Sequence, residues 1–169
     1  MKILLHACCG PCATACVERL GAKHAVTLFF SNSNIAPRSE YDKRLEQARK
    51  LAGLTGVPLI EDAYEHEAWR EHVKGFENEP ERGRRCEKCF EFNLCRTARY
   101  AETHGFEAFT TTLTVSPHKR SPVIFSIGKR LGPFLAEDFK KQDGFERSLR
   151  LAGQYGLYRQ DYCGCEFSA

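Results

Sequence analysis

The sequence lacks a membrane-length apolar run and a secretory opening. The apolar stretch after Lys2 extends only from Ile3 to Ala7, shorter than a signal core. Nothing approaches the ~20 apolar residues of a transmembrane helix. Both absences predict a cytoplasmic protein with no membrane partner. A Gly-x-Gly-x-x-Gly turn and a Walker-type loop are missing as well, so a nucleotide cofactor has no direct signature. The six histidines do not fall in metal-ligand spacing. His66 and His72 lie six apart in an acidic segment and read as surface residues, while His6 stands next to a cysteine group. The single tryptophan, Trp69, reads as packing. No repeat, low-complexity tract or linker divides the chain, and 169 residues suit one domain, 1–169, with a full core.

Cysteine is what the chain has in excess. Its nine cysteines in 169 residues stay below the ~8–10% of a disulfide scaffold, and their odd number leaves at least one thiol unpaired. Seven fall in three tight groups: Cys8-Cys9-Gly10-Pro11-Cys12, Cys86-Glu87-Lys88-Cys89 and Cys163-Gly164-Cys165. In a reducing compartment such groups bind metal or do redox chemistry. Thiolates are soft anionic ligands that favour zinc, copper(I) or iron–sulfur clusters. Seven are too many for one tetrahedral metal, and enough for a four-cysteine cluster plus a second, incompletely ligated metal. Gly164 lets the backbone bend so that its two neighbours face one site. The first group alone also fits a redox Cys-x-x-Cys pair at a helix start, a reading that leaves the other groups idle. Cys16 and Cys95 fall inside helical segments and read as small apolar packing residues.

Short apolar runs predict strands at 3–5, 25–30, 57–60, 108–113 and 134–136. Helical patterns cover 11–20 (Pro11 opening it, Gly21 just past its end), 39–51 (Ser39 as N-cap), 64–73, 86–104, a short segment ending at Leu131, and 144–155. A polar loop covers 75–84 with Arg84 in it. Alternating strands and helices predict an α/β fold, a single-domain parallel sheet with helices on both faces. Ligands in such sheets sit at the carboxyl ends of the strands. The first cysteine group follows the first strand, and the loop 116–120 faces the same crevice.

Charge is unevenly spread. Residues 61–81 carry eight acids against Arg70 and Lys74, and residues 117–159 carry nine Lys or Arg against four acids. The basic stretch is either the footprint of a polyanion or a set of solvated helix faces.

Five motifs occur in order: Leu4-Leu5-His6-x-Cys8-Cys9-Gly10-Pro11-Cys12; Arg85-Cys86-x-x-Cys89-Phe90; Thr111-Thr112-Leu113-x-x-Ser116-Pro117-x-Lys119; Asp138-Phe139-Lys140-Lys141-x-x-Gly144; and Leu157-Tyr158-Arg159-Gln160-x-Tyr162-Cys163-Gly164-Cys165-x-Phe167-Ser168. The set resembles the cobalamin-independent epoxyqueuosine reductases of the QueH type, over nearly the whole chain. The resemblance implies a Rossmann-like sheet similar to that of the adenine-nucleotide α-hydrolase-like proteins, with cysteine ligands in place of the phosphate loop. It implies two-electron conversion of an epoxide to an alkene on the wobble nucleoside of tRNA, the last step of queuosine synthesis, with an electron donor the sequence does not name. It also implies a [4Fe-4S] cluster held by Cys8, Cys9, Cys86 and Cys89, beside a mononuclear iron held by Cys12, Cys163 and Cys165. Beside what the resemblance implies, Asp138, Lys119 and Tyr162 are the candidate catalytic groups, as proton donors, with Lys140 and Tyr158 as further candidates. Lys119, Lys140, Tyr158, Arg159 and Gln160 are the implied substrate contacts, with Arg120 and Lys141 as further phosphate contacts. Three other readings stay open on the residues alone: another iron–sulfur tRNA enzyme, such as a thiolase or desulfurase; a heterodisulfide-reductase-like cluster protein, which also uses a Cys-Cys-Gly motif but expects a further cysteine upstream of it; and a non-catalytic zinc-stabilised RNA-binding module.

Overall fold

The computed structural model describes residues 1–168. Its elements are β1 (Lys2–His6), α1 (Gly10–Gly21), β2 (Ala25–Phe30), α2 (Arg38–Thr55), β3 (Leu59–Glu61), α3 (His66–His72), α4 (Arg84–Thr103), β4 (Ala108–Thr111), a 3-10 turn at Thr112–Val115, α5 (Ser121–Leu131) and α6 (Gly144–Tyr155). The four strands form one parallel sheet in the order β3-β2-β1-β4.

β1 is central, which explains its unbroken Ile3-Leu4-Leu5 run: all three are fully buried. Side chains alternate across a strand. Leu5 points into a core built with Ala13, Cys16, Val17 and Leu20 of α1 and Leu51 of α2. Leu4 points the other way, into Phe29, Phe109 and Ala98 and Ala101 of α4. Helices therefore cover both faces, as the alternating pattern predicts. Cys16 is fully buried in the first of these cores, while Cys95 is half-buried on α4.

Several boundaries differ from the sequence expectations. β3 begins at Leu59 instead of Val57, because Pro58 has no N–H for the ladder and contributes only its carbonyl, to Leu28 N at 2.8 Å. β4 ends at Thr111, whose Oγ1 accepts the Leu113 N–H at 3.1 Å and turns the chain into the 3-10 segment. The strand expected at 134–136 is a single bridge, Phe109 to Phe134, since Gly132 and Pro133 bring the chain in only briefly. α2 begins at Arg38, with Pro37 as N-cap and no side-chain cap bond, so Ser39 does not cap it. It runs on to Gly56, whose φ of 73° ends the helix. Gly21 is the last helical residue of α1 instead of the residue after it. The helix expected over 64–73 is confined to His66–His72. Arg84 lies in the first turn of α4, not in the loop.

Candidate metal centre

The first cysteine group forms where β1 passes into α1. Cys9 is the N-cap, and its sulfur accepts the Cys12 N–H at 3.3 Å. Pro11 fits the first turn because it has no N–H to leave unpaired. This turn brings the sulfurs of Cys8, Cys9 and Cys12 within 4.8 Å of one another. Thr112, just past β4, closes the group from the neighbouring strand end. Its hydroxyl donates to Cys8 Sγ at 3.2 Å and accepts the Cys8 N–H at 3.1 Å. His6, directly upstream, is fully buried. Burial holds its ring neutral by lowering its pKa. The Ser31 carbonyl can only accept, so Nε2 carries the hydrogen (3.0 Å) and the Thr111 hydroxyl donates to Nδ1 (2.9 Å). His6 thus ties β1 to the ends of β2 and β4 under the cysteine turn.

The thiols of the first group perturb one another. Hydrogen bonds from the Cys12 and Cys9 thiols pull Cys8 well below the ordinary thiol range, against burial. The same bond to Cys8 pushes Cys12 well above that range. Three sulfurs this close could hold one metal ion, and a bound cation would favour their ionised forms.

The other two groups meet on the opposite side of the same cleft. Cys86 and Cys89 sit on the first turns of α4, and Arg82 N–H donates to Cys86 Sγ at 3.3 Å. Burial pushes the Cys89 thiol well up, and the nearby Cys163, Cys165 and Cys86 sulfurs push it further. Cys86, Cys89, Cys163 and Cys165 line an inner hollow. It adjoins an outer one of about 470 Å³ lined by Cys8, Cys12, Cys89 and Cys163, a volume suited to a small ligand. Lys119 lines both. Burial opposes its charge, but the Cys163, Cys8, Cys12 and Cys9 sulfurs outweigh burial and raise its pKa. Among the described residues, Cys8, Cys9 and Cys12 are the one set of metal-ligating side chains with three ligand atoms this close.

The tail is fastened to α2 by a residue outside all five sequence motifs. Arg44 has a side chain only 2% exposed, paired with Glu40 at 2.8 Å. Its two terminal nitrogens donate to the carbonyls of Cys163 (2.7 Å) and Tyr162 (2.9 Å). Gly164 O accepts Ala36 N–H at 2.9 Å. The signal was present in the helical spacing: Arg44 falls on the buried stripe Tyr41, Leu45, Ala48, Leu51. Arg44→Met should destabilise the protein by about 3–5 kcal/mol, because Glu40 is left charged and unpaired. A chemical-denaturation midpoint close to wild type would contradict this. Gly164 has φ of 125°, and a Cβ there would lie 2.8 Å from Arg44 Nη1. Gly164→Ala should therefore swing Cys163 and Cys165 out of the cleft and lower bound metal per chain, measured by elemental analysis after reconstitution.

The remaining residues singled out by sequence divide in two. Arg159, Gln160 and Tyr162 line the outer hollow. Gln160 has a buried Oε1 with no donor, and the Tyr162 hydroxyl donates to Ala36 O at 2.9 Å. Asp138, Lys140 and Tyr158 are not in either lining. Asp138 Oδ1 accepts from Ser121 Oγ (3.0 Å) and Lys140 N (3.1 Å), and Lys140 Nζ donates to the same Ser121 Oγ at 2.7 Å. Tyr158 donates to Glu40 at 3.1 Å. His66 is no surface residue. It is wedged between Ser33 O (2.7 Å) and Glu166 (3.1 Å). Arg85 lies in the first turn of α4, 3% exposed. Trp69 is packing, as expected, but it packs against Cys89 and Cys165.

The donor set fits a thiophilic metal centre. Six cysteines line the two adjoining hollows, the Cys9 sulfur lies within 4.8 Å of two of them, and two buried donors beside the inner hollow, Trp69 Nε1 and Arg85 Nε, have no acceptor. Sulfur ligands of a bound centre are the acceptors that such donors require.

A parallel α/β sheet with a cysteine cluster near the carboxyl ends of its strands defines the class of protein, one whose thiols could hold a metal. The fold is shared with a solved Methanocaldococcus jannaschii chain described as a predicted subunit of tRNA methyltransferase, at TM-score 0.56 and 11% identity over 90% of this chain and 76% of that one. The family model for epoxyqueuosine reductase QueH matches residues 3–169. Relatives named epoxyqueuosine reductase QueH include those of Streptococcus pyogenes, 39% identical over 99% of this chain and 70% of its own, and Thermotoga maritima, 37% identical over 98% and 89%. The chain belongs to the epoxyqueuosine reductase QueH family, a family of oxidoreductases.

Proposed function

We infer that this chain is an epoxyqueuosine reductase acting at the last step of tRNA queuosine biosynthesis. The observation that carries this is the match of nearly the whole chain to that family, together with six cysteines lining two adjoining hollows and Cys9 beside them. Residues 1–169 act as one catalytic domain. The tRNA substrate makes the cytoplasm its working compartment; among the described residues, no helix is long and apolar enough to cross a membrane.

Cys8, Cys9, Cys86 and Cys89 would hold a [4Fe-4S] cluster, and Cys12, Cys163 and Cys165 a single iron with an open position. When bound, the pair would supply electrons one at a time and Lewis acidity toward the epoxide oxygen. The protein's part is to bind, orient and protonate. The balanced reaction takes two electrons and two protons, removes the epoxide oxygen as water and leaves an alkene. Lys119 faces the thiols of both hollows and is the group best placed to deliver a proton at Nζ. Tyr162 and Gln160 border the same space, and Gln160 Oε1 is free to accept from a substrate hydroxyl or amine. Asp138 acts one step away, fixing Ser121 and Lys140 at the start of α5. Arg159 lies at the outer hollow, and Arg120 and Lys141 are exposed. These cations would hold tRNA phosphates while the modified nucleoside leaves the anticodon stack.

The test uses anaerobically reconstituted protein, a strong reductant and tRNA carrying epoxyqueuosine. The digested nucleoside should lose the mass of one oxygen atom, dependent on iron and reductant. No mass change with a fully loaded cluster would point to another iron–sulfur tRNA chemistry. A colourless zinc protein without acid-labile sulfide would leave only an RNA-binding role.

A further inference from the structure

Trp69 is fully buried, and its indole Nε1 has no hydrogen-bond acceptor. A buried donor left alone costs about 1–3 kcal/mol, and folded proteins seldom tolerate one without a reason. Indole nitrogen can only donate. The ring is held in place by stacking on His66 at 5.5 Å and Phe167 at 6.2 Å. It packs against Val73 and against the sulfur-bearing side chains of Cys89 and Cys165, and it lines the inner hollow with Cys86 and Cys163. Arg85, 3% exposed, brings a second unpaired buried N–H to the same hollow.

We propose that Trp69 is a positioning residue for the metal centre, its Nε1–H donating to the ligand sulfur of Cys89 and raising the reduction potential of the cluster held there. The inference rests on the cofactor reading above. It does not depend on how the other six thiols are shared. Adding one electron makes the centre more negative, and that charge is spread over its sulfurs. An N–H bonded to sulfur stabilises the reduced form more than the oxidised one, so the potential rises. No proton is transferred. The single electron comes from the same donor that supplies the reductase reaction.

The chain has one tryptophan, so 15N-tryptophan labelling reports on this residue alone. In anaerobically loaded, one-electron-reduced protein, pulsed EPR should detect hyperfine coupling to the indole 15N. Trp69→Phe keeps an aromatic ring and removes the N–H. It should lower the midpoint potential so that the reduced-to-oxidised ratio at a fixed potential falls about tenfold, which is 59 mV for one electron. A reduced cluster without 15N coupling overturns the proposal, as does an unchanged potential in Trp69→Phe. The labelled native protein decides between the two outcomes even if the variant does not fold. Protein that takes up no iron and sulfide overturns the cofactor reading and this inference together. A loaded cluster without coupling overturns this inference alone.

Discussion

Cys163→Ala is expected to abolish epoxide reduction, by about 10³-fold or more in kcat/KM, equivalent to about 4 kcal/mol of transition-state stabilisation. Most of the cluster absorbance should survive. The backbone at this position is held independently of its side chain, through the Cys163 carbonyl on Arg44 and the Gly164 carbonyl on Ala36. Removing the thiol should therefore leave the tail in place and, on the proposed ligand set, delete one ligand of the single iron. Absorbance and activity separate two ways of sharing the thiols. Cys163 feels the charges of Cys165 and Cys86 as well as that of Cys8. Should absorbance vanish with activity, Cys163 belongs with Cys86, Cys89 and Cys165 in the cluster set. The triad Cys8, Cys9 and Cys12, already within 4.8 Å, would then hold the single metal.

Lys119→Met should lower kcat by about 10² to 10⁴-fold, the range of a positioned proton donor, with iron and sulfide content unchanged. Lys119 is the cation that four of the seven thiols share, and methionine keeps much of its stem while removing charge and proton. Its effect should appear in kcat more than in KM if, as proposed, the group serves the bond-breaking step and the exposed cations carry phosphate binding. A variant that turns over at the native rate would remove Lys119 from the chemistry. One that fails to load metal would make it a charge-balancing residue instead.

Local pattern carried most of the fold. The apolar run at β1, the alternation of strands and helices, and Pro11 at the start of α1 led directly to a parallel sheet with thiols at its carboxyl edge. Boundaries failed where a hydroxyl or a proline decides them: Thr111 ending β4, Pro58 delaying β3, Pro37 replacing Ser39 at the head of α2. The cysteine groups were legible because thiols at short spacing have few other uses. Their surroundings were harder to read. Arg44 looks like any charge on a charged helix until its place on the buried stripe is noticed, and Trp69 looks like any core aromatic. What makes both informative is a bond across more than half the chain or a bond left unmade, and spacing encodes neither. Asp138 shows the converse, a residue selected for the site that is instead tied to Ser121.

The tail's return to the start of α1 also bears on how the protein matures. Close to half the chain lies between Cys89 and Cys163. At roughly 5–20 residues per second, a ribosome needs ~4–15 s to cover it. The first five of the seven grouped thiols are thus exposed on the nascent polypeptide well before the last two exist. Iron delivered in that interval meets an incomplete site open to oxygen and to competing zinc. On the proposed ligand set, loading would be completed only once the tail docks through the Tyr162 and Cys163 carbonyls on Arg44.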